Sequence, residues 1–412
     1  MTTVLSNMLS NTSSNTLSNT LSSATSTAPS NALHTNSLQT NSLHTNSLHT
    51  NAQKVPVITR VSDDIGGCAF FELVTTANHC RLLVKLEQNN PTGSVKIRMA
   101  KQMVDEAESS GLLKPGGWIV ESTSGNTGVA LALIAAERGY RFTAVVDNHA
   151  AQDKIRMMRA LGAEVICISA AGDEELATAA RDETAAELAK NYGAVWTAQH
   201  HNPANSRGYY PMAEEIYATL GDGLTHLVGA VGTGGSLCGT AKALKHKGAR
   251  PQIIGVEPEG SIIFGGPGKA YMQSGTGTPE GAEIGQLIEY DLIDKGLKVT
   301  DQYAFLTARM LAKRKGLMVG GSAGGVIYQA LLELSRAPAN SNIVVVICDA
   351  GEKYLDTVYN DEWMKKHSLL DDSVTAEIES LLDALERPDK ECAPEIDYPE
   401  LSAIPIFPLA KA

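Results

Sequence analysis

The chain has 412 residues, 43% of them hydrophobic and 19% charged, and a formal net charge of -12. That length accommodates two domains with sizeable cores. The acidic balance excludes a nucleic acid as the general partner, since phosphate backbones demand basic surface, and no apolar run is long enough to span a bilayer.

Residues 1–53 contain no Lys, Arg, Asp or Glu and end in the period-five repeat "LHTNSLQTNSLHTNSLHTN". Such a segment buries too little apolar surface to offset its ordering entropy, so a disordered low-complexity tail is expected over 1–53. His34, His44 and His49 in the repeat could capture a metal, but the composition favours a plain tail. The basic start of a signal peptide and the arginines of a transit peptide are both missing, which makes the cytoplasm the expected location. Cys68, Cys80, Cys167, Cys238, Cys348 and Cys392 are scattered without framework spacing and are expected to be reduced.

From Val55 onward, short β-branched runs alternate with longer amphipathic stretches. The strands expected in chain order are "LLVKLE", "WIVES", "FTAVVD", "EVICIS", "HLVGAVG", "IIGVEP" and "IVVVICD". The expected helices cover Ser94–Ser109, Asn126–Arg138, Gln152–Leu161, Glu174–Tyr192, Gly235–Lys247, Tyr303–Lys315 and Ala323–Ser335. This alternation predicts a doubly wound α/β protein with mostly parallel sheets. In such sheets ligands bind beyond the carboxyl ends of the strands, so the glycine-rich segments after strands are the candidate sites.

Four segments carry the chemistry. In "NNPTGSVKIRMAKQM" a lone lysine, Lys96, stands between a Pro/Gly turn and a helix; a lysine there is ordinarily solvated. In "VESTSGNTGVALALIAA", Thr123, Ser124, Asn126 and Thr127 gather hydroxyls, an amide and free N–H groups at a helix start, more than an N-cap needs and suited to a carboxylate. In "HLVGAVGTGGSLCGTAKALK", Gly232, Thr233, Gly234, Gly235 and Ser236 join a strand to a helix. That loop is either a simple tight turn or a phosphate cradle, and it lacks the spacing of a Walker or dinucleotide loop. In "GGSAGG", Ser322 opens a further helix, where an N-cap is the ordinary role.

Taken in order, "NPTGSVK", "STSGNTG", "GTGGS" and "GGSAGG" resemble the pyridoxal-phosphate enzymes of the cysteine synthase and cystathionine β-synthase family, of fold type II, over about Val55 to His367. The resemblance implies pyridoxal 5'-phosphate as cofactor, with Lys96 as the Schiff-base lysine and Asn126 on the ring hydroxyl. It further implies that Gly232 to Ser236 cradle the phosphate, that Ser322 faces the pyridine nitrogen, and that Thr123, Ser124, Thr127 and Gln199 hold the substrate carboxylate. It implies a large cofactor-binding domain over 54–88 and 200–368, a small mobile substrate-binding domain over 89–199, a C-terminal extension over 369–412, and a homodimer. Ile97 stands where the family usually has aspartate, and Cys68 and Ala69 replace its usual turn residues.

The implied activity is β-replacement on an O-activated L-serine, O-phosphoserine or O-acetylserine, through an aminoacrylate. "ESTSGN", "AVVDN" and "EGSIIFG" look most like the branch that joins O-phosphoserine to an amino-acid amine such as glutamate, a route to 2,3-diaminopropionate. Cysteine synthase, cystathionine β-synthase, a serine or threonine dehydratase and a non-catalytic scaffold are the alternatives. A phosphate leaving group needs a cationic neighbour, and "HHNPANSRGYY" offers Arg207 with Tyr209 and Tyr210, unless Arg207 is only a solvated surface residue. The amphipathic "SVTAEIESLLDALE" near the carboxyl end reads as a packing or dimer contact.

Overall fold

The computed structural model describes residues 56–123, 125–147, 151–168 and 174–386. The expected disordered tail, Ser124, Cys392 and the segment after 386 lie outside these residues. The described elements in order are β1 (Phe70–Thr75), β2 (Arg81–Lys85), α1 (Lys96–Ser109), β3 (Trp118–Ser122), α2 (Asn126–Arg138), β4 (Arg141–Asp147), α3 (Gln152–Ala160), β5 (Glu164–Ile168), α4 (Glu174–Tyr192) and β6 (Val195–Trp196). They continue with α5 (Pro203–Arg207), α6 (Tyr210–Leu220), β7 (His226–Ala230), α7 (Gly235–His246), β8 (Gln252–Pro258), β9 (Lys295–Val299), α8 (Asp301–Lys315), α9 (Gly321–Arg336), β10 (Asn342–Val346), α10 (Asp361–Lys366) and α11 (Asp372–Glu386).

Two sheets form. One runs β1-β2-β10-β7-β8-β9 and the other β5-β4-β3-β6. Every pairing is parallel except β1 with β2. The larger sheet is buried on both faces, which is why its strands are nearly unbroken hydrophobic runs. In β10 and the residue after it, Ile343, Val345 and Ile347 enter the core shared with α8 and α9, while Val344 and Val346 enter the core shared with α6 and α7. A third cluster, built from Ile119, Ala144 and Val146 of the smaller sheet with Val129 and Ile134 of α2, fills that sheet's interior. In α11, Ile378, Leu381, Leu382 and Leu385 pack into the α8–α9 core, so the amphipathic carboxyl-terminal stretch covers its own chain. No helix among the described residues is long and apolar enough to cross a membrane.

The strands missed by the sequence reading are those that do not form an uninterrupted apolar run. β6 has two residues, β1 is an antiparallel edge, and β9 carries two lysines in five residues. In α9 the glycines serve close packing: a Cβ on Gly324 would fall 2.1 Å from the Ala304 carbonyl oxygen, so α8 and α9 meet backbone to backbone only because none is there.

Two features fix the helix that begins at Lys96. Arg98 is buried and donates to Glu87 (2.7 and 2.9 Å) and to Glu215 (2.9 Å), while Lys85 reaches Glu215 at 2.6 Å. This balanced group of two cations and two carboxylates ties α1 to β2 and α6, and removing one member would leave a buried charge unpaired. Ile97 is fully buried in the apolar cluster of the smaller sheet, which explains an apolar residue at that position. Ile97→Asp should therefore lower stability by about 3 kcal/mol or more, against about 1 kcal/mol for Ile97→Val, by placing a carboxylate among aliphatic side chains. Urea denaturation midpoints would measure this; equal midpoints for Ile97→Asp and wild type would contradict the placement.

Candidate active site

The carboxyl ends of two pairs of neighbouring strands face one cavity. Thr123 follows β3 and Gln199 lies three residues beyond β6, its neighbour in the smaller sheet; Gly232 follows β7 and Cys348 and Asp349 follow β10, adjacent in the larger sheet. In the smaller sheet this is also where the strand order reverses, the position at which doubly wound sheets open a crevice. The cavity, of about 210 Å³, is lined by Lys96, Thr123, Asn126, Thr127, Gln199, Gly232, Thr233 and Ser322 among the residues singled out from the sequence.

Three helices start at its wall with glycine as N-cap: Gly125 before α2, Gly234 before α7 and Gly320 before α9. A glycine supplies no side-chain acceptor; Thr123 Oγ1 takes the Gly128 N–H (3.2 Å) and Thr233 Oγ1 the Gly235 N–H (3.3 Å), and other first-turn N–H groups can meet an anionic ligand. Ser322 is thus not an N-cap. It is the second residue of α9, and it lines the cavity. Gly234 adopts φ +84°, and a Cβ there would lie 2.6 Å from Ile288 Cγ1, so the turn requires glycine both by conformation and by space. Gly234, Gly235 and Ser236 stand behind Gly232 and Thr233, in the turn and first helical residues, and do not line the cavity themselves.

One hydrogen-bonded set links the polar residues. Thr127 Oγ1 donates to Gln199 Oε1 (2.8 Å), Gln199 Nε2 donates to the Ser122 carbonyl (3.1 Å), and Asn205 Nδ2 donates to the Gln199 carbonyl (2.7 Å) and to Thr233 Oγ1 (3.2 Å). Asn126 is held at both ends of its amide: Nδ2 donates to Asp349 Oδ2 at 2.7 Å and Oδ1 accepts from Lys353 Nζ at 2.7 Å. That pairing fixes which way the amide faces. Burial pulls the Lys96 amine below its ordinary value, against the opposing pull of Cys348 and Asp349. Burial likewise draws Lys353 down to about 8.

Arg207 lies elsewhere. At the end of α5 its guanidinium grips Glu106 of α1 with two bonds (2.7 and 2.5 Å), on the exposed surface and away from the cavity lining. Tyr209 is fully buried in the α6–α7 core and Tyr210 packs against the same cluster, so neither tyrosine faces the cavity. The sequence reading missed Lys154, Arg181, His200, Ser274 to Gly277 and Asp349, all cavity-lining. The glycine-rich "SGTGT" and the aspartate closing "IVVVICD" were the available signals for two of these. His200 is neutral at pH 7, since burial and then the positive charge of Lys96 bring it down to about 4.

Beneath Gln199 lies a buried carboxyl, Glu121, which accepts from Thr197 Oγ1 (2.5 Å) and the Gln199 N–H (3.3 Å). Desolvation outweighs those bonds and pushes it up to about 7. The folded state thus keeps a proton that the unfolded chain has already released, so this group's contribution to stability falls as pH rises from 4.5 to about 7. Glu121→Gln should flatten that part of the profile. Thermal midpoints between about pH 4.5 and 7 would read it, and an unaltered slope in the variant would contradict the assignment.

A buried lysine, an oriented amide, a serine at the start of α9 and a glycine turn leading into a helix start fit an aldehyde cofactor bearing a phosphate. Comparison with known proteins agrees. Residues 61–349 match the family model described as "Pyridoxal-phosphate dependent enzyme". A "Putative cysteine synthase" of Sinorhizobium fredii is 49% identical over 79% of this chain and 97% of its own length. An "N-(2-amino-2-carboxyethyl)-L-glutamate synthase" of Ralstonia nicotianae is 32% identical over 74% of this chain and 91% of its own. The crystal structure of an O-ureido-L-serine synthase superposes with a TM-score of 0.69 at 32% identity, covering 75% of this chain and all of that one. The chain therefore belongs to the fold type II pyridoxal-phosphate-dependent enzymes, in the family of the cysteine synthases and cystathionine β-synthases.

Proposed function

We propose that this enzyme replaces the β-substituent of an O-activated L-serine, and that its nucleophile is an amino-acid amine such as glutamate. The observation that carries the β-replacement reading is the meeting, in one cavity, of Lys96, the Thr123–Thr127–Gln199 group and Ser322. Bound pyridoxal phosphate supplies an electron sink that acidifies the substrate's α-carbon. Lys96, its ammonium disfavoured by burial, accepts the α-proton and later returns one. Thr123, Thr127 and Gln199 hold the substrate carboxylate, which orients the Cα–H bond toward that amine. Asn126, fixed by Asp349 and Lys353, would have its remaining amide N–H free to bond the cofactor's ring hydroxyl. Ser322 offers the pyridine nitrogen a neutral hydroxyl rather than a carboxylate, which keeps the sink weak and favours loss of the β-substituent over transamination. Thr123, Thr127 and Gln199, all neutral, and the N–H groups of α2 supply hydrogen bonds to the carboxylate without adding a fixed charge.

The amine nucleophile is supported by the likeness to the Ralstonia glutamate-adding synthase and by "ESTSGN", "AVVDN" and "EGSIIFG". The higher identity to the Sinorhizobium protein favours a second reading, sulfide as nucleophile. A half-reaction assay separates them. Cofactor-loaded protein is mixed with O-phosphoserine or O-acetylserine, and the resulting spectral change is discharged with glutamate or with sulfide. The amine reading expects O-phosphoserine to act and glutamate to discharge at least about tenfold faster than sulfide, a difference of about 1.4 kcal/mol in barrier. Discharge by sulfide alone would move the assignment to cysteine synthesis.

A further inference from the structure

Two lysines line the cavity with no counter-anion in contact among the described residues, Lys96 and Lys154. Lys154 of α3 is 1% exposed and lines the cavity. Its Nζ donates to Ser274 Oγ at 3.1 Å and to Tyr354 OH at 3.2 Å, and it lies 4.9 Å from the centre of the Tyr354 ring. Both acceptors are neutral, and among the described residues the ammonium forms no ion pair. Asp349 is not in contact with it but opposes the effect of burial by its charge, and Tyr354 OH, which Lys154 also touches, donates to Asp349 Oδ2 at 2.6 Å. The same carboxylate oxygen is taken up by Asn126. An ammonium stripped of water and without an anion in contact is costly, and burial lowers its tendency to stay charged more than the charge of Asp349 restores it. A lysine in that state at a cavity wall is completed by an anion that the ligand brings.

The other cations near the cavity are engaged. Arg181 pairs with Asp147 at 2.6 Å, Lys353 donates to Asn126 and to the Gly93 carbonyl, and Lys96 is assigned to the cofactor. Arg207 is outside, on Glu106. The two anion-binding features already described, the glycine turn before α7 and the Thr123–Thr127–Gln199 group, do not include Lys154. Its partner Ser274 opens the segment Ser274–Gly277, which is anchored by Thr276 Oγ1 and the Gly277 N–H on the Val231 carbonyl (2.8 and 2.7 Å). The subsite thus has one wall on α3 and the other on a fixed loop of the larger sheet's layer.

We propose that Lys154, with Ser274, forms a third anion subsite, which receives the negatively charged group lying beyond the substrate's β-carbon. Two sources present that chemistry: the phosphate of an O-phosphoserine as it leaves, or the side-chain carboxylate of an amino-acid nucleophile as it enters. The choice between these sources rests on the β-replacement reading; the existence of the subsite does not.

The test uses cofactor-loaded wild type, Lys154→Met and Lys154→Arg. First, inorganic phosphate is titrated at constant ionic strength while the thermal midpoint is followed. Wild type and Lys154→Arg should gain stability with phosphate, and Lys154→Met should not. Second, kcat/KM is compared for O-phosphoserine and O-acetylserine, and discharge rates for glutamate and sulfide. If the subsite takes the leaving phosphate, Lys154→Met loses about ten- to a hundredfold more on O-phosphoserine than on O-acetylserine, as expected when a charge-assisted hydrogen bond is removed. If it takes the nucleophile's carboxylate, the esters fall together and glutamate loses more than sulfide by a similar factor. Equal losses on all four reagents, or a phosphate response that is absent from wild type or survives in Lys154→Met, would overturn the subsite. Should wild type turn over neither ester while its phosphate response depends on Lys154, the β-replacement reading fails and the subsite stands.

Discussion

Three helices begin around one cavity, and glycine rather than a capping side chain stands at each N-cap. Gly125, Gly234 and Gly320 cap nothing themselves, and the hydroxyls of Thr123 and Thr233 take one first-turn N–H each on α2 and α7. Ordinary globular helices satisfy those donors with Ser, Thr, Asp or Asn at a gain of about 1 kcal/mol each. Thr123 and Thr233 recover part of that gain at α2 and α7, and a ligand rich in acceptor oxygens can satisfy the donors that remain. A cofactor phosphate and a substrate carboxylate are such ligands, and the rest of the architecture serves to bring the three helix starts together.

The two sheets supply the convergence. Parallel strands send all their carboxyl ends the same way, so β7 and β10 in one sheet and β3 and β6 in the other each deliver polar residues to the same edge. The helix carrying Lys96 must then be held between the layers. The buried Lys85–Glu87–Arg98–Glu215 group does this on one side and Ile97, in the apolar cluster, on the other. The ionic group gives direction to α1 because its bonds are specific in geometry, whereas the apolar contact gives most of the free energy. Positioning a reactive amine therefore uses both interactions within three consecutive residues.

Much of this was legible in the sequence. Hydrophobic runs marked the two-faced parallel strands, and glycine-rich segments after strands marked the places where Lys96, Asn126, Thr233 and Ser322 come together. What stayed hidden depends on tertiary partners. Nothing around Lys154 distinguishes it from a surface lysine of an amphipathic helix; only the arrival of Ser274 and Tyr354 from distant parts of the chain makes it a buried cation. Arg207 failed in the opposite sense, since Glu106, far off in sequence, captures it. Ile97 looked like a lost aspartate and is a core residue, because the period of α1 turns that position toward the smaller sheet.

The central claim is that Lys96 carries the cofactor. Three lysines, Lys96, Lys154 and Lys353, stand at or beside the same cavity, so colour alone does not identify the attachment site. The direct measurement is reduction of the purified, cofactor-loaded protein with borohydride, followed by peptide mapping by mass spectrometry. The account predicts the reduced cofactor on the peptide containing Lys96 and no attachment in Lys96→Ala. Attachment at Lys154 or Lys353 in wild type, or no covalent cofactor at all, would contradict it.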